Sequence, residues 1–208
     1  MHTLSTEQLD IASVVQDLIA GQTLIYPTET CYGLGCDAAN QSAVDAIFRI
    51  KQRQADKPVL VLMADIAMAM EYIEWNETIQ SLATLYWPGP LTIVAMPRDV
   101  SQFARGIAGP LGMVAFRVTS HPLAQALVRE LGGPLVSTSA NISAEASPYD
   151  IADVLRMFEG RECQPDTILD GGVLPHESPS TIVRVNSDQS LDILRQGAIV
   201  IKTDSPPV

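Results

Sequence analysis

Arg49, Lys51, Arg53 and Lys57 place four of the chain's thirteen basic residues in one short stretch, RIKQRQADK, of a 208-residue protein with a formal net charge of −11. Lysine offers phosphate oxygens a point charge and arginine a two-pronged fork, so this concentration reads as an anion pocket. The run STSANIS, Ser137 to Ser143, joins the C-terminal end of an expected strand to a loop of hydroxyls and an amide. Ligands of open α/β sheets sit outside such strand ends, which turns Ser139 and Asn141 toward a crevice. With the strand-like TLIYPTET upstream, the three segments together describe a nucleotide site. Each also has a plainer reading. Cations gather at helix C-termini because the macrodipole favours them there by ~0.3–1 kcal/mol, and a Ser/Asn-rich turn can satisfy its own backbone.

Arg117, in VAFRV, stands within an apolar strand. A charge there needs an anionic partner, either a protein carboxylate or that of a bound ligand, because leaving it unpaired is costly. Arg195, in LDILRQG, reads more readily as a surface charge. The sequence G-x-x-x-x-G-K-[ST] does not occur and YGLG lacks the third glycine of a dinucleotide fingerprint, so phosphates are not held by either familiar loop. There is no G-x-S-x-G elbow, and His121 follows Ser120 directly, which disfavours Ser-His hydrolase chemistry. Cys31, Cys36, Cys163, His2, His121 and His176 are too scattered for a structural zinc site, and no metal is expected. Three cysteines do not make a disulfide framework and suit a reducing compartment.

These residues need a scaffold, and the patterning supplies one. A composition 47% hydrophobic and 18% charged is that of a packed domain, and no apolar run reaches membrane-spanning length. No export signal is visible at the N-terminus, which places the protein in the cytoplasm. The sequence pI of about 4.5 argues against broad, sequence-independent binding to nucleic acid, so any RNA contact is local or indirect. Helical spacing predicts a first helix over Leu9 to Ile19, with Ser5 and Thr6 as caps, and others near 42–51, 66–73, 77–86, 121–131 and 149–158. Strands are expected at 23–26, 31–36, 59–63, 91–96, 112–118 and 134–138, and in TILDGG, STIVRV and LDILRQG. The run 59–63 reads as a strand buried on both faces. Interleaved helices and strands, with strands clustered late, indicate an α/β fold with a mixed sheet: one domain over 1–200 and a frayed tail over 201–208.

In order along the chain, YPTETCYGLG, the K-x-R of Lys51 and Arg53 followed by Lys57-Pro58, WPGPLT, VAFRV, PLVSTSANIS, PSTIV and LRQG closely resemble the YrdC-like threonylcarbamoyl-AMP synthases. The resemblance runs from about Thr23 to Gly197, and only the ordered set is specific. It implies a twisted mixed parallel and antiparallel sheet lining a large open cleft. The implied activity joins L-threonine, bicarbonate and ATP into threonylcarbamoyl-AMP and pyrophosphate, with Mg²⁺ brought by ATP. Downstream transfer proteins then carry the group to tRNA. Motif by motif, the resemblance assigns Thr30, Arg117, Ser137 and Ser180 to threonine, and Arg53, Lys57, Ser139, Ser147 and Arg195 to ATP. It gives Lys51 and Asn141 to the phosphates and the reacting carbamate, and makes Lys51 and Arg53 the catalytic pair. The longer relatives carry a second C-terminal domain, for which no room is left after Gly197, so the chain is similar to the short form. The alternatives are a non-catalytic nucleotide- or RNA-binding protein of the same fold and a carbamoyl-transfer module of the hydrogenase-maturation type. The intact K-x-R and SAN elements favour the synthase over the first. The second normally sits beside acylphosphatase and zinc-finger modules that this sequence lacks.

Overall fold

The computed structural model describes residues 1–54 and 57–201. Ala55 and Asp56 of the basic stretch, and 202–208 of the expected tail, lie outside the described residues. Ile201, counted with that tail in the sequence reading, is buried against the core.

Among the described residues one ten-stranded sheet runs β1-β8-β2-β3-β7-β4-β6-β5-β9-β10. In chain order its strands are β1 (His2–Ser5), β2 (Leu24–Pro27), β3 (Tyr32–Gly35), β4 (Leu60–Met63), β5 (Leu91–Ala95), β6 (Val114–Val118), β7 (Leu135–Ser139), β8 (Thr167–Asp170), β9 (Thr181–Val185) and β10 (Leu191–Arg195). Among the described residues six α-helices accompany them: α1 (Ile11–Ile19), α2 (Gln41–Lys51), α3 (Ile66–Tyr72), α4 (Glu77–Tyr86), α5 (Pro122–Leu131) and α6 (Ile151–Phe158). The pairs β1–β8, β2–β8, β4–β6 and β5–β9 are parallel. The pairs β2–β3, β3–β7, β4–β7, β5–β6 and β9–β10 are antiparallel, so the sheet is mixed as expected.

Alternation along the strands sorts side chains onto two faces. Leu24, Tyr26, Leu62 and Leu135 join Val14 and Leu18 of α1 and Leu127 and Val128 of α5 in one apolar layer. Their sequence neighbours Ile25, Val61, Met63 and Val136 enter the larger layer on the opposite face, with Ile47 of α2, Leu82 of α4 and Phe158 of α6. Within β4, Val61, Leu62 and Met63 are fully buried, the two-sided burial that the apolar run predicts.

Three features depart from the sequence reading. α1 is capped by Asp10, whose carboxylate accepts from the Ser13 N–H, while Ser5 caps only a short 3₁₀ turn. His2–Ser5 is a strand, β1, zipped in parallel onto β8. Its residues are mostly exposed and carry no alternation, so pairing rather than local pattern makes it a strand. The late strands also part company, since β8 and β9 have six strands between them. At ~4.8 Å per strand a flat sheet would separate them by ~34 Å, close to the reach of ten extended residues at ~3.3–3.6 Å each. The connection 171–180 therefore crosses the sheet as an irregular strap and ends at the buried Ser180.

Candidate functional site

Beneath that strap lies a cavity of about 520 Å³. Its walls come from the β2–β3 turn (Thr28, Thr30, Cys31), the segment after α2 (Arg53, Pro58), β6 (Ala115, Arg117), the end of β7 (Ser137, Ser139), the loop 146–149, the strap (Glu177, Ser180) and β10 (Arg195). Register explains the convergence. Leu60 of β4 pairs with Ala115 on one side and Ser137 on the other, which sets those strands side by side, and period-two alternation returns Arg117 to the face of Ala115.

Of the residues expected from sequence, Thr30, Arg53, Arg117, Ser137, Ser139, Ser147, Ser180 and Arg195 line this cavity. Three do not. Lys57 is exposed, and its backbone carbonyl accepts from Arg53 Nε at 2.8 Å, while Arg53 Nη2 donates to the Pro58 carbonyl at 2.9 Å. Lys51 and Asn141 sit behind the wall. At the last turn of α2, Lys51 is 1% exposed, and its Nζ donates to the Ser139 carbonyl (2.5 Å), the Asn141 carbonyl (2.7 Å) and Asn141 Oδ1 (3.1 Å). Ser139 Oγ donates to the same Oδ1, and Asn141 Nδ2 donates to the Glu145 carbonyl. The ammonium is thus the post around which the SAN loop is wound. Burial, with the Arg53 charge second, pushes its pKa down to about 7. Against that stands the donor count: three acceptors are matched by three N–H groups, which only the protonated amine supplies.

Arg117 is 3% exposed and finds its carboxylate in Glu29, whose Oε1 lies 3.5 Å from Nε. Arg195, read from sequence as a surface charge, donates from Nε and Nη2 to the Ser180 carbonyl (3.1 and 2.8 Å) and from Nη2 to Ser180 Oγ (3.0 Å). Ser180 Oγ also lies 2.9 Å from Thr92 Oγ1. The LRQG glycine belongs to this corner. A Cβ on Gly197 would fall 2.1 Å from the Pro179 carbonyl oxygen, so any other residue would push the strap off β10. Among the described residues three arginines, Arg53, Arg117 and Arg195, thus share the cavity with one lining carboxylate, Glu177, an arrangement for an anion larger than a single carboxylate.

Sequence reasoning missed Glu29, Thr28, Tyr149 and Glu177. Glu29 had a signal, since Arg117 in an apolar strand requires an acid, and PTET supplies one beside a candidate site residue. Tyr149 and Glu177 had none, because the loop and strap that carry them are placed by the crossing of the sheet. Cys31, expected only to pack, is half-buried on the cavity wall, where burial raises its thiol pKa and Arg117 pulls it back. The three cysteines are free, and among the described residues no group of three or more His, Cys, Asp or Glu could hold a metal ion. No helix among the described residues is long and apolar enough to cross a membrane.

Comparison with known proteins bears on this geometry. The Sua5/YciO/YrdC family model, described as "Telomere recombination", matches residues 16–197. A threonylcarbamoyl-AMP synthase of Serratia proteamaculans is 36% identical over 197 residues, 92% of this chain and 96% of the relative. One from Marinobacter nauticus is 34% identical over 188 residues, 90% and 97% of the respective chains. Among solved structures, P. abyssi Sua5 complexed with L-threonine superposes with a TM-score of 0.83 at 32% identity over 94% of this chain. This chain spans 57% of the length of that protein. E. coli YciO, at 24% identity and a TM-score of 0.83, shares the fold over 97% of both chains. On the family match and these identities, the chain belongs to the Sua5/YciO/YrdC family.

Proposed function

We propose that this protein is an L-threonylcarbamoyladenylate synthase, a nucleotidyltransferase that forms threonylcarbamoyl-AMP and pyrophosphate from L-threonine, bicarbonate and ATP. The observation that carries the reading is the convergence of Arg53, Arg117 and Arg195 with the hydroxyls of Thr30, Ser137, Ser139 and Ser180 in one cavity, in a chain similar over nine-tenths of its length to proteins of that name.

The chemistry explains the residue types. Threonine's amine and bicarbonate give a carbamate with loss of water. A carbamate oxygen then attacks the α-phosphorus of ATP, and pyrophosphate leaves. Nucleophile and nucleotide are both anionic, so cations must be fixed between them before they can approach. Arg117 takes threonine's carboxylate, with Thr30, Ser137 and Ser180 offering hydroxyls to its polar atoms. Arg53 and Arg195, with Ser139 and Ser147, face the nucleotide. Lys51 acts one layer back, holding Ser139 and Asn141 in register with the phosphates. Catalysis of this kind is positioning and electrostatic stabilisation, with no covalent enzyme intermediate. Mg²⁺ fits as a companion of ATP. It keeps several waters and takes phosphate oxygens with one or two carboxylates, and among the described residues Glu177 is the one carboxylate on the cavity wall. The ion would neutralise charge on the triphosphate. The product's mixed anhydride suits onward transfer to tRNA by partner proteins in the cytoplasm.

The test is to supply ATP with threonine and bicarbonate together and singly, measuring pyrophosphate and the adenylate by mass spectrometry. Both products should require both co-substrates. Pyrophosphate release that ignores threonine would contradict the assignment.

A further inference from the structure

We propose that Glu29 is a positioning residue, which grips the Arg117 guanidinium from behind so that its two terminal amino groups are presented to the carboxylate of an amino-acid substrate. The inference rests on the reading of Arg117 given above.

Glu29 lies in the tight β2–β3 turn. Thr28 fixes that turn, its Oγ1 accepting from the Thr30 and Cys31 N–H groups (3.2 and 3.3 Å) and donating to the Cys31 carbonyl (2.7 Å). The side chain does not line the cavity. It turns toward β6 and is only 13% exposed. A directed chain of hydrogen bonds meets it there. The His121 backbone N–H donates to Thr119 Oγ1 (3.2 Å), which commits that hydroxyl's own proton outward to Glu29 Oε2 (2.6 Å). One carboxylate oxygen is thereby pinned, and the other, Oε1, is held 3.5 Å from Arg117 Nε. Both of these facing atoms are buried, and neither has a hydrogen-bond partner, so each is the other's counter-charge. Among the described residues no protein hydrogen bond engages the Arg117 terminal amino groups, although Arg117 lines the cavity. A guanidinium has five N–H donors in a fixed fork. With the Nε edge facing Glu29, the outer edge is what remains for a ligand.

Charge balance points the same way. Arg195 shares the cavity and feels the Arg117 charge, so an uncompensated Arg117 would be both buried and repelled. Glu29 supplies the compensation without occupying the cavity. Two effects oppose each other when its charge is removed: the pocket becomes more positive, which favours a carboxylate, and the fork loses its anchor. A buried guanidinium with no counter-ion does not hold its place, so loss of orientation prevails.

The test uses the full-length protein with Glu29→Gln, which keeps the shape and can still accept from Thr119, and with Thr119→Val, which keeps the charge but frees the carboxylate. Dissociation constants are measured by calorimetry for L-threonine and for threoninol, which lacks the carboxylate, with thermal melts alongside. Glu29→Gln should weaken L-threonine about tenfold or more, the scale at which outer-shell partners act on metal ligands, and raise its KM with little change in the KM for ATP. Thr119→Val should do the same more mildly, and carries the test if Glu29→Gln does not fold. Threoninol affinity should be unchanged in both. Threonine affinity that holds or tightens in these variants, or an equal loss for both ligands, would overturn the proposal. A wild-type protein that does not bind threonine removes the reading of Arg117 and this inference with it. Binding that depends on Arg117 but not on Glu29 or Thr119 overturns this inference alone.

Discussion

Replacing Lys51 with methionine sets two opposed effects against each other. Methionine is neutral and similar in length, so packing at the end of α2 is largely kept while the hydrogen bonds made by Nζ disappear. In the wild type, burial holds the lysine pKa near 7, against 10.5 in the unfolded chain. A lysine depressed in this way binds fewer protons folded than unfolded. Its contribution to stability is full above about pH 10.5 and is lost as pH falls toward 7. Between pH 7.5 and 9.5 the linkage relation makes wild type gain about 2–3 kcal/mol relative to Lys51→Met. Other groups titrate in the same range but are common to both proteins, so the difference isolates Lys51. Urea denaturation of both proteins across that interval, with m-values checked for constancy, measures it. A gap that stays flat would refute the reasoning, since it would mean that the three oxygens around Nζ hold the ammonium protonated despite burial. On the reading of Lys51 as the anchor of the Ser139–Asn141 loop, the same variant should lose most of its synthase activity at every pH.

Three further outcomes are expected. Arg53→Ala should lower kcat/KM by about 10²–10³, the loss typical of removing one electrostatic donor, while steady-state kinetics and melting show stability within ~1 kcal/mol of wild type because its protein hydrogen bonds are exposed ones. Gly35→Ala should destabilise by at least about 3 kcal/mol and lower the midpoint by roughly 6–12 °C in calorimetry, since its Cβ would lie 2.1 Å from the Val136 carbonyl oxygen. Asp166→Ala should cost about 1–3 kcal/mol in denaturant with kcat preserved, because its carboxylate accepts from both the N–H and the hydroxyl of the buried Thr23, far from the cavity.

Elements with strong internal pattern were legible. α2, α4, α5 and β4 fall within a residue or two of the periodicity that predicts them, because each buries a continuous apolar stripe or run. β1 was not legible, having no pattern until β8 pairs with it, and the capping residue of α1 was misplaced because Ser5 and Asp10 are both competent caps. The same division holds in the site. Arg53, Arg117 and the Ser137–Ser139 run announce themselves by charge or by hydroxyl density beside a strand end. Which of them reach the cavity depends on register, and sequence does not reveal that Lys51 turns its three protons inward while Arg195, outwardly placed on β10, wraps back onto Ser180.

The outermost strands of the sheet are unequal in what they protect. Peeling β1 away would bare the backbone of β8 yet leave the cavity-lining side chains on their own elements. Peeling β10 would take Arg195 with it and strip Ser180 of its bracket, dismantling the anion-facing rim from outside inward. Fraying at one margin is therefore a matter of solubility. At the other it is a matter of occupancy, and on the proposed reading of Arg195 a bound nucleotide would be the clasp that keeps that margin shut.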